Sequence, residues 1–388
     1  MLARIERSSF RPLARFVLLY AAMYSAYGVA SPFLPTFILE RGVPAAQLGV
    51  VLAAGTMVRL VAAPAAGRLA DHLRNLRAVL FVSIALGFAT TLGYLQARAF
   101  AAFLPVSMLQ AAALAPTTVL ADALAVHAAR GRFEYGWVRG TGSAAFIAGA
   151  LSAGAVVAWL GLGAIVWMQA WLLACAALVA LLVPEIPHAP RAPHRRTASL
   201  AQLFRIPAYR RLVLVAALVL GSHAMHDAFA MIRWREAGIG AATAGLLWSA
   251  AVAAEVVVFF FAGPALLRRL GPARALGLAA AARVLRWTVM ASTANLAALA
   301  LVQPLHGFTF ALLHLACMRL IASHVPESAA ATAQALYGTG AGCATAFLTA
   351  ASGALFARYG AASFWTMAVL CATALPLGLS LKVSAKGL

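Results

Sequence analysis

Eight ionisable side chains, Arg59, Asp122, Arg139, Asp227, Glu255, Arg283, Arg286 and His306, interrupt apolar blocks that are each long enough to cross a bilayer. A charge at bilayer depth costs about 2.5–3.5 kcal/mol on insertion scales, so it marks a polar pathway or a partner. Carboxyl, guanidinium and imidazole groups brought together there can exchange protons. Desolvation favours a neutral carboxyl and a nearby guanidinium favours the anion, so motion of the cation changes proton affinity. Glu255, Arg286 and His306 fall in three successive blocks and form the candidate proton-coupling set. A static reading competes, in which Glu255 and Arg286 only neutralise each other. His306 is an alternative carrier of the proton or a hydrogen-bonding partner of the solute.

The other charges leave more than one role open. Asp122 and Arg139 lie 17 residues apart in adjacent blocks, which a short antiparallel connection brings to one level. Arg59 has no acid on its own block, so it is a counter-charge for an anionic solute or pairs with another helix. Arg283 is a second cation or snorkels to the surface. Asp227 finds its partner in Arg or His, if it has one, because no Lys occurs within any block. The aromatic residues Trp137 and Trp287, with Tyr24, Tyr27, Trp248 and Phe308, line a pocket or face lipid and core. The histidines lack metal-ligand spacing, and no Ser or Cys nucleophile sits in a recognisable setting. No metal, cofactor or enzymatic activity is expected.

The elements that hold these residues follow from composition. Apolar residues make up 64% of the 388 and charged residues only 10%, with a mean hydropathy of +0.90. Soluble domains average about 45–50% apolar and about 25% charged, so the chain is expected to be an all-α, polytopic membrane protein. A spanning helix needs roughly 20 apolar residues. Twelve spans are predicted: 13–38, 46–67, 78–97, 100–124, 135–159, 162–183, 210–235, 242–263, 274–292, 296–320, 332–356 and 362–381. The basic N-terminus runs into an apolar block longer than a signal peptide's core, so it reads as a retained first span. Cys175, Cys317, Cys343 and Cys371 lie in apolar blocks without CxxC pairing and read as free thiols.

The net charge of +20 lies in short connections and not along one polar face, so it does not indicate nucleic acid. One set of connections, with the termini, holds about 21 basic residues, and the opposite set holds about four. Both termini are therefore expected in the cytoplasm, and the Arg-rich, Ala-rich composition suggests a GC-rich bacterial genome and the inner membrane. The Pro- and Arg-rich stretch 184–211, with Pro187, Pro190, Pro193, Arg195 and Arg196, reads as a cytoplasmic linker containing a short amphipathic piece at residues 200–204. It separates an N-terminal bundle, 1–183, from a C-terminal bundle, 212–388. The halves echo each other weakly: Ala66-Gly67 matches Ala262-Gly263, and Tyr135-Gly136 matches Tyr337-Gly338. Parallel repeats of six-helix halves mark one large transporter class.

Gly67-Arg68-Leu69-Ala70-Asp71-His72-Leu73-Arg74-Asn75-Leu76-Arg77 resembles the loop signature of the major facilitator superfamily. The resemblance implies a cytoplasmic gate in which Gly67 permits close packing and Asp71 and Arg77 latch the loop. His72 replaces the usual Arg, and Leu267 replaces the Asp in the second-half copy, so a symmetric latch is degenerate. Phe133-Glu134-Tyr135-Gly136-Trp137-Val138-Arg139-Gly140 is similar to the segment leading into helix 5 of lactose permease, where the matching Arg pairs with an acid on helix 4. His223-Ala224-Met225-His226-Asp227, Ala254-Glu255-Val256, Leu285-Arg286-Trp287 and Leu305-His306-Gly307-Phe308 resemble the phenylpropionate permease family, a lactose-permease relative.

The resemblance covers nearly the whole chain. It implies the major facilitator fold, two six-helix bundles with a midplane site between them, and alternating access. The implied activity is proton symport of a small aromatic acid such as 3-phenylpropionate. Asp122, Arg139, Arg59, Trp137 and Trp287 are the candidate substrate-binding residues. A sugar or nucleoside symporter remains open, and so does an antiporter of the same fold, although span 5 lacks the Gly-Pro pair typical of drug antiporters. There is no Gly-x-x-x-x-Gly-Lys loop for ATP. An intramembrane enzyme or a receptor without transport is the reading from another class. The expected partners are the solute, protons and the bilayer, with the chain working as a monomer.

Overall fold

The computed structural model describes residues 2–185 and 200–381, with side chains described for 12–185 and 201–381. Every regular element among the described residues is helical. Among the described residues, nine helical stretches are long and apolar enough to cross a membrane: Pro12–Glu40, Ala45–Leu73, Leu76–Gln96, Phe100–Ala129, Tyr135–Leu160, Pro207–Glu236, Ala241–Ser292, Leu296–His324 and Glu327–Leu379. Ala164–Ala180 is a shorter apolar helix. Two of the nine are 52 and 53 residues long, about twice what a bilayer requires. Each contains a break at a glycine in the left-handed region, Gly271 at φ 73° and Gly360 at φ 52°. Divided there, the helices are consistent with the twelve predicted spans, and they are numbered 1–12 in that order below.

The polarity of these helices is that of a lipid-solvated protein. Trp159, Phe261 and Phe347 are 90%, 74% and 73% exposed, which water would penalise and hydrocarbon does not. Backbone groups must be satisfied within each helix at that depth, which is why no open strand edge is viable.

The chain divides into two compact units, residues 1–190 with 239–246, and residues 191–238 with 247–388. In the first, spans 1 and 5 pack closely. A Cβ added at Gly28 would run into the Phe146 backbone, and one at Gly149 into the Ser25 backbone. The core joins Phe16, Leu19, Tyr20 and Met23 to Leu80, Ile84, Leu124 and Leu173. A buried polar network reinforces it: Tyr94 donates to Gln110 at 2.9 Å, and Gln110 donates to Thr91 at 2.9 Å. The core of the second unit gathers Leu212, Val215, Val219, Leu276, Ala279, Leu312 and Leu320.

Several spans are irregular where the polar residues sit. Span 4 is interrupted before Thr117, next to Pro116, which removes a donor and clashes with the preceding turn. Span 7 is two helices, Pro207–Gly221 and His223–Glu236, joined at Ser222. Span 8 passes into a π-helical turn at Val258–Ala262, three residues after Glu255. Span 10 holds a second at Phe308–Leu312, two residues after His306. π-Turns concentrate at functional sites. The predicted amphipathic piece is a helix at Leu200–Phe204. The rest of the predicted linker, residues 186–199, lies outside the described residues. Cys175, Cys317, Cys343 and Cys371 are free.

Candidate transport site

Spans 7, 8, 9 and 10 of the second unit bring one polar cluster together. Arg283 and Arg286 stand three residues apart on span 9, so they share a face. Both are fully buried. Arg286 Nη1 donates to His306 Nδ1 at 3.2 Å, and its Nη2 donates to His226 Nε2 at 3.1 Å and to Gln303 Oε1 at 2.6 Å. Arg283 Nη1 donates to His223 Nδ1 at 2.7 Å, and its Nη2 donates to the Thr309 carbonyl at 3.0 Å. Both guanidiniums lie over the Trp287 ring, 5.3 and 5.0 Å from its centroid.

The three imidazoles stack. His223 lies 4.9 Å from His226 and 4.6 Å from His306 by ring centroid, with interplanar angles of 10° and 13°. Beyond them are the carboxylates. His306 Nε2 is 3.3 Å from Glu255 Oε2. His223 Nε2 and His226 Nδ1 are 3.3 and 3.6 Å from Asp227 Oδ1. Layered from the inside outward, the cluster runs guanidinium, imidazole, carboxylate, with Asp227 half-exposed and Glu255 about one third exposed.

The predicted trio of Glu255, Arg286 and His306 is therefore assembled, in a different order from the one expected. Arg286 does not meet Glu255 directly, because His306 stands between them. Trp287 is fully buried and donates its indole N–H to Ser222 at 2.9 Å. It packs behind the guanidiniums and presents no open face. His223, His226 and Gln303 were not predicted members. Their signal was the i, i+3, i+4 spacing of His223, His226 and Asp227, which puts all three on one side of span 7.

The ligand atoms of His223, His226 and Asp227 lie within 4.8 Å of one another, a spacing compatible with a metal ion. The donor chemistry does not fit one. A guanidinium only donates, so the ring nitrogen facing it must supply the lone pair of a neutral imidazole. The nitrogen facing Asp227 then carries the proton and has no lone pair for a metal. Two buried guanidiniums beside the position add repulsion.

The first unit holds the second cluster. Tyr20 and Tyr135 both donate to Asp122 Oδ1, the latter at 2.7 Å, and Arg139 Nη1 lies 3.8 Å from the same oxygen. Arg139 also donates to the Tyr24 hydroxyl and lies over the Tyr24 ring, 5.3 Å from its centroid. Tyr20, Tyr24 and Tyr27 stand at i, i+4 and i+7 on span 1, with ring centroids 5.5 and 5.6 Å apart. The predicted pair is thus present, embedded in a tyrosine ladder in which Tyr24 and Tyr27 are among the candidate pocket aromatics and Tyr20 is an addition. Arg59 and Trp137 are exposed on spans 2 and 5 and lie outside this set of bonds.

At the signature loop, a Cβ on Gly67 would meet no atom within 4 Å, so the expected close packing is absent there. Asp71 is exposed. The Leu76 and Arg77 backbone N–H groups donate to the Glu185 carboxylate at 3.2 and 3.0 Å. The Arg77 guanidinium reaches the Val183 carbonyl at 3.4 Å. These bonds tie the loop to the end of span 6. A groove of about 820 Å³ along spans 1, 5 and 6 includes Ser25, Ser152, Trp167 and Trp171 and is lined by no ionisable residue.

Residues 13–367 match the family described as MFS_1 like. A protein of Escherichia coli strain K12 described as a probable 3-phenylpropionic acid transporter is 31% identical over 369 residues, covering 92% of this chain and 94% of that one. Among solved structures, the nucleoside transporter NupG is similar with a TM-score of 0.79 at 16% identity, over 95% of this chain and 98% of NupG. A bacterial homologue of the human lysosomal transporter Spinster is similar with a TM-score of 0.72 at 16% identity, over 97% and 96% of the two chains. At those identities the two structures speak for the fold alone. The family match and the curated relative carry the assignment: the chain belongs to the MFS_1-like family and is a multi-pass membrane transporter of the major facilitator type, acting on a small molecule.

Proposed function

We propose that the protein imports a small aromatic carboxylate, 3-phenylpropionate or a close analogue, with protons, by alternating access. In this reading residues 1–183 and 212–388 are its two halves and 184–211 the linker, with both termini cytoplasmic. It works as a monomer in the bacterial inner membrane. The observation that carries coupling is the layered cluster, in which two partly exposed carboxylates are backed by two buried guanidiniums. When Asp227 and Glu255 are ionised, their charge cancels that of Arg283 and Arg286. Protonation of Glu255 leaves a net positive charge, which favours an anion nearby. Release of that proton removes the attraction.

The substrate class rests on the 31% identical relative and on the other cluster. Arg139 offers a cation beside the aromatic faces of Tyr20, Tyr24 and Tyr27, the two features an aryl carboxylate needs. Arg59 is a second counter-charge on span 2. Trp137 adds aromatic surface at the start of span 5, and Trp287 acts through the guanidiniums it supports. The loop of Gly67, Asp71 and Arg77 serves as the cytoplasmic gate.

Glu255→Gln tests the coupling. In proteoliposomes with radiolabelled 3-phenylpropionate and a one-unit pH gradient, each coupled proton contributes about 1.4 kcal/mol, or about tenfold accumulation. Accumulation in Glu255→Gln should fall by at least about tenfold, while counterflow exchange persists. Wild-type accumulation in that variant would overturn the role of Glu255. Counterflow with nucleosides or lactose and none with aromatic acids would overturn the substrate class.

A further inference from the structure

Donor accounting fixes the protonation of all three histidines. Arg283 donates to His223 Nδ1, and Arg286 donates to His306 Nδ1 and to His226 Nε2. Each of those nitrogens must accept, so each ring is neutral and carries its hydrogen on the opposite nitrogen. Those nitrogens are His223 Nε2, His306 Nε2 and His226 Nδ1, and every one of them faces a carboxylate. Protonating a ring would expel the guanidinium donor that holds it. The guanidiniums are themselves anchored, Arg283 on the Thr309 carbonyl and Arg286 on Gln303, with Trp287 behind both.

Two of the three imidazole N–H groups face Asp227, while one faces Glu255. Of the two on Asp227, the His226 Nδ1 hydrogen is fully buried and makes no hydrogen bond, with the nearest carboxylate oxygen at 3.6 Å. A buried donor left unmet costs about 1–3 kcal/mol. That N–H is aimed at Asp227 and is met only when the ionised carboxylate closes on it. Asp227 is also half-exposed, so one side of its carboxylate is open beside the cluster. A carboxylate with an open side and two neutral N–H groups facing its buried side has what a reversible proton site needs.

We propose that Asp227 is a second proton-binding carboxylate of the transport site. Arg283 and Arg286 are positioning residues that hold His223, His226 and His306 as neutral N–H donors to Asp227 and Glu255. The proposal rests on the coupled-transport reading above and adds a second proton to it. In the loading step an Asp227 oxygen takes a proton from the aqueous side, forming an O–H bond and losing the anion's hold on the imidazole N–H groups. In the return step the proton goes back to water and the ionised carboxylate closes on the N–H groups of His223 and His226. The groups around Asp227 that bear on this exchange are His223 and His226 on its own span, Arg283 and Arg286 on span 9, Glu255 on span 8 and His306 on span 10. With both carboxylates loaded the site carries two uncompensated cations, and a monovalent anion crosses with two protons.

Infrared pH titration of the intact purified protein decides it without a substrate. Asp71, Asp122 and Asp227 are the three aspartates of the chain. With 13C-aspartate labelling, Asp71→Asn/Asp122→Asn protein should keep a label-sensitive protonated-carboxyl band that weakens reversibly as pH is raised. Asp227→Asn should lose that band, and Glu255→Gln should keep it. Absence of the band from the double variant, in which Asp227 is untouched, overturns the proposal even if Asp227→Asn fails to fold. Nitrogen-15 histidine spectra should show neutral rings, with Nε2–H at His223 and His306 and Nδ1–H at His226. An imidazolium at any of the three at about pH 7 overturns the positioning role. In liposomes, accumulation in Asp227→Asn should fall about tenfold under a one-unit gradient. Loss in Glu255→Gln with full accumulation in Asp227→Asn would leave coupling intact and remove Asp227 from it.

Discussion

Gln303 offers a test in which stability and transport move in opposite directions. It is fully buried, its Oε1 accepts from Arg286 Nη2 at 2.6 Å, and its Nε2 lies 3.5 Å from Met290 Sδ. Gln303→Leu keeps most of the volume and removes that acceptor. A hydrogen bond to a charged group contributes about 1.5–3 kcal/mol, and the guanidinium has no water to turn to. The expected cost is therefore about 2 kcal/mol, read as a melting point lower by several degrees in detergent. Gln303→Glu keeps the geometry and replaces the neutral acceptor by a charged one, roughly doubling the strength of the bond. Its melting point should match or exceed that of wild type. It also adds a third carboxylate to a cluster whose charges otherwise cancel, so uptake of an anionic substrate should fall severalfold. Thermal unfolding followed by tryptophan fluorescence, with labelled uptake on the same preparations, checks both. A Gln303→Leu protein as stable as wild type, or a Gln303→Glu protein that transports the anion normally, would refute the reading of the cluster as a balanced charge assembly.

Gly149→Val should prevent spans 1 and 5 from closing and reduce the yield of folded protein sharply, whereas Gly67→Ala should melt as wild type does, because no atom lies within 4 Å of its added carbon. Size-exclusion profiles and melting points of the two variants side by side check this. Arg139→Ala should raise the apparent KM for 3-phenylpropionate by about tenfold or more, the scale of one partly desolvated charged contact. Asp122→Asn, which retains an acceptor for Tyr20 and Tyr135, should lose uptake with a smaller loss of stability. Normal uptake by Arg139→Ala would exclude the first-unit cluster from substrate binding.

The spans were legible because hydrocarbon imposes one rule on every helix, an apolar run of a fixed minimum length. The breaks near Gly271 and Gly360 fell in the predicted connections for the same reason. Glu255, Arg286 and His306 could be grouped because they lie on consecutive spans at similar depth. Depth is readable from hydropathy, but rotation about the helix axis is not, since an all-apolar span has no polar stripe to orient it. That is why His306 was not seen to stand between Arg286 and Glu255, and why Asp227 was left without a named partner. The tyrosine hydroxyls on Asp122 were hidden for a related reason: Tyr20 lies 102 residues away, and nothing local marks the pairing. Gly67 shows the converse, since a motif suggested close packing where the structure leaves space.

The two π-turns have a consequence for how spans 8 and 10 are to be read. Each puts one extra residue into a turn, and one residue of α-helix corresponds to roughly 100° of rotation. Residues before Val258 and after Ala262 therefore follow different angular phases, as do those on either side of Phe308–Leu312. Glu255 and His306 are set by the first phase and the packing of Leu315 and Cys317 by the second, so a single helical wheel drawn along either span misplaces one end. A one-residue deletion within either turn should therefore restore a continuous α repeat while both ends of that helix keep their present orientation and its length stays almost unchanged.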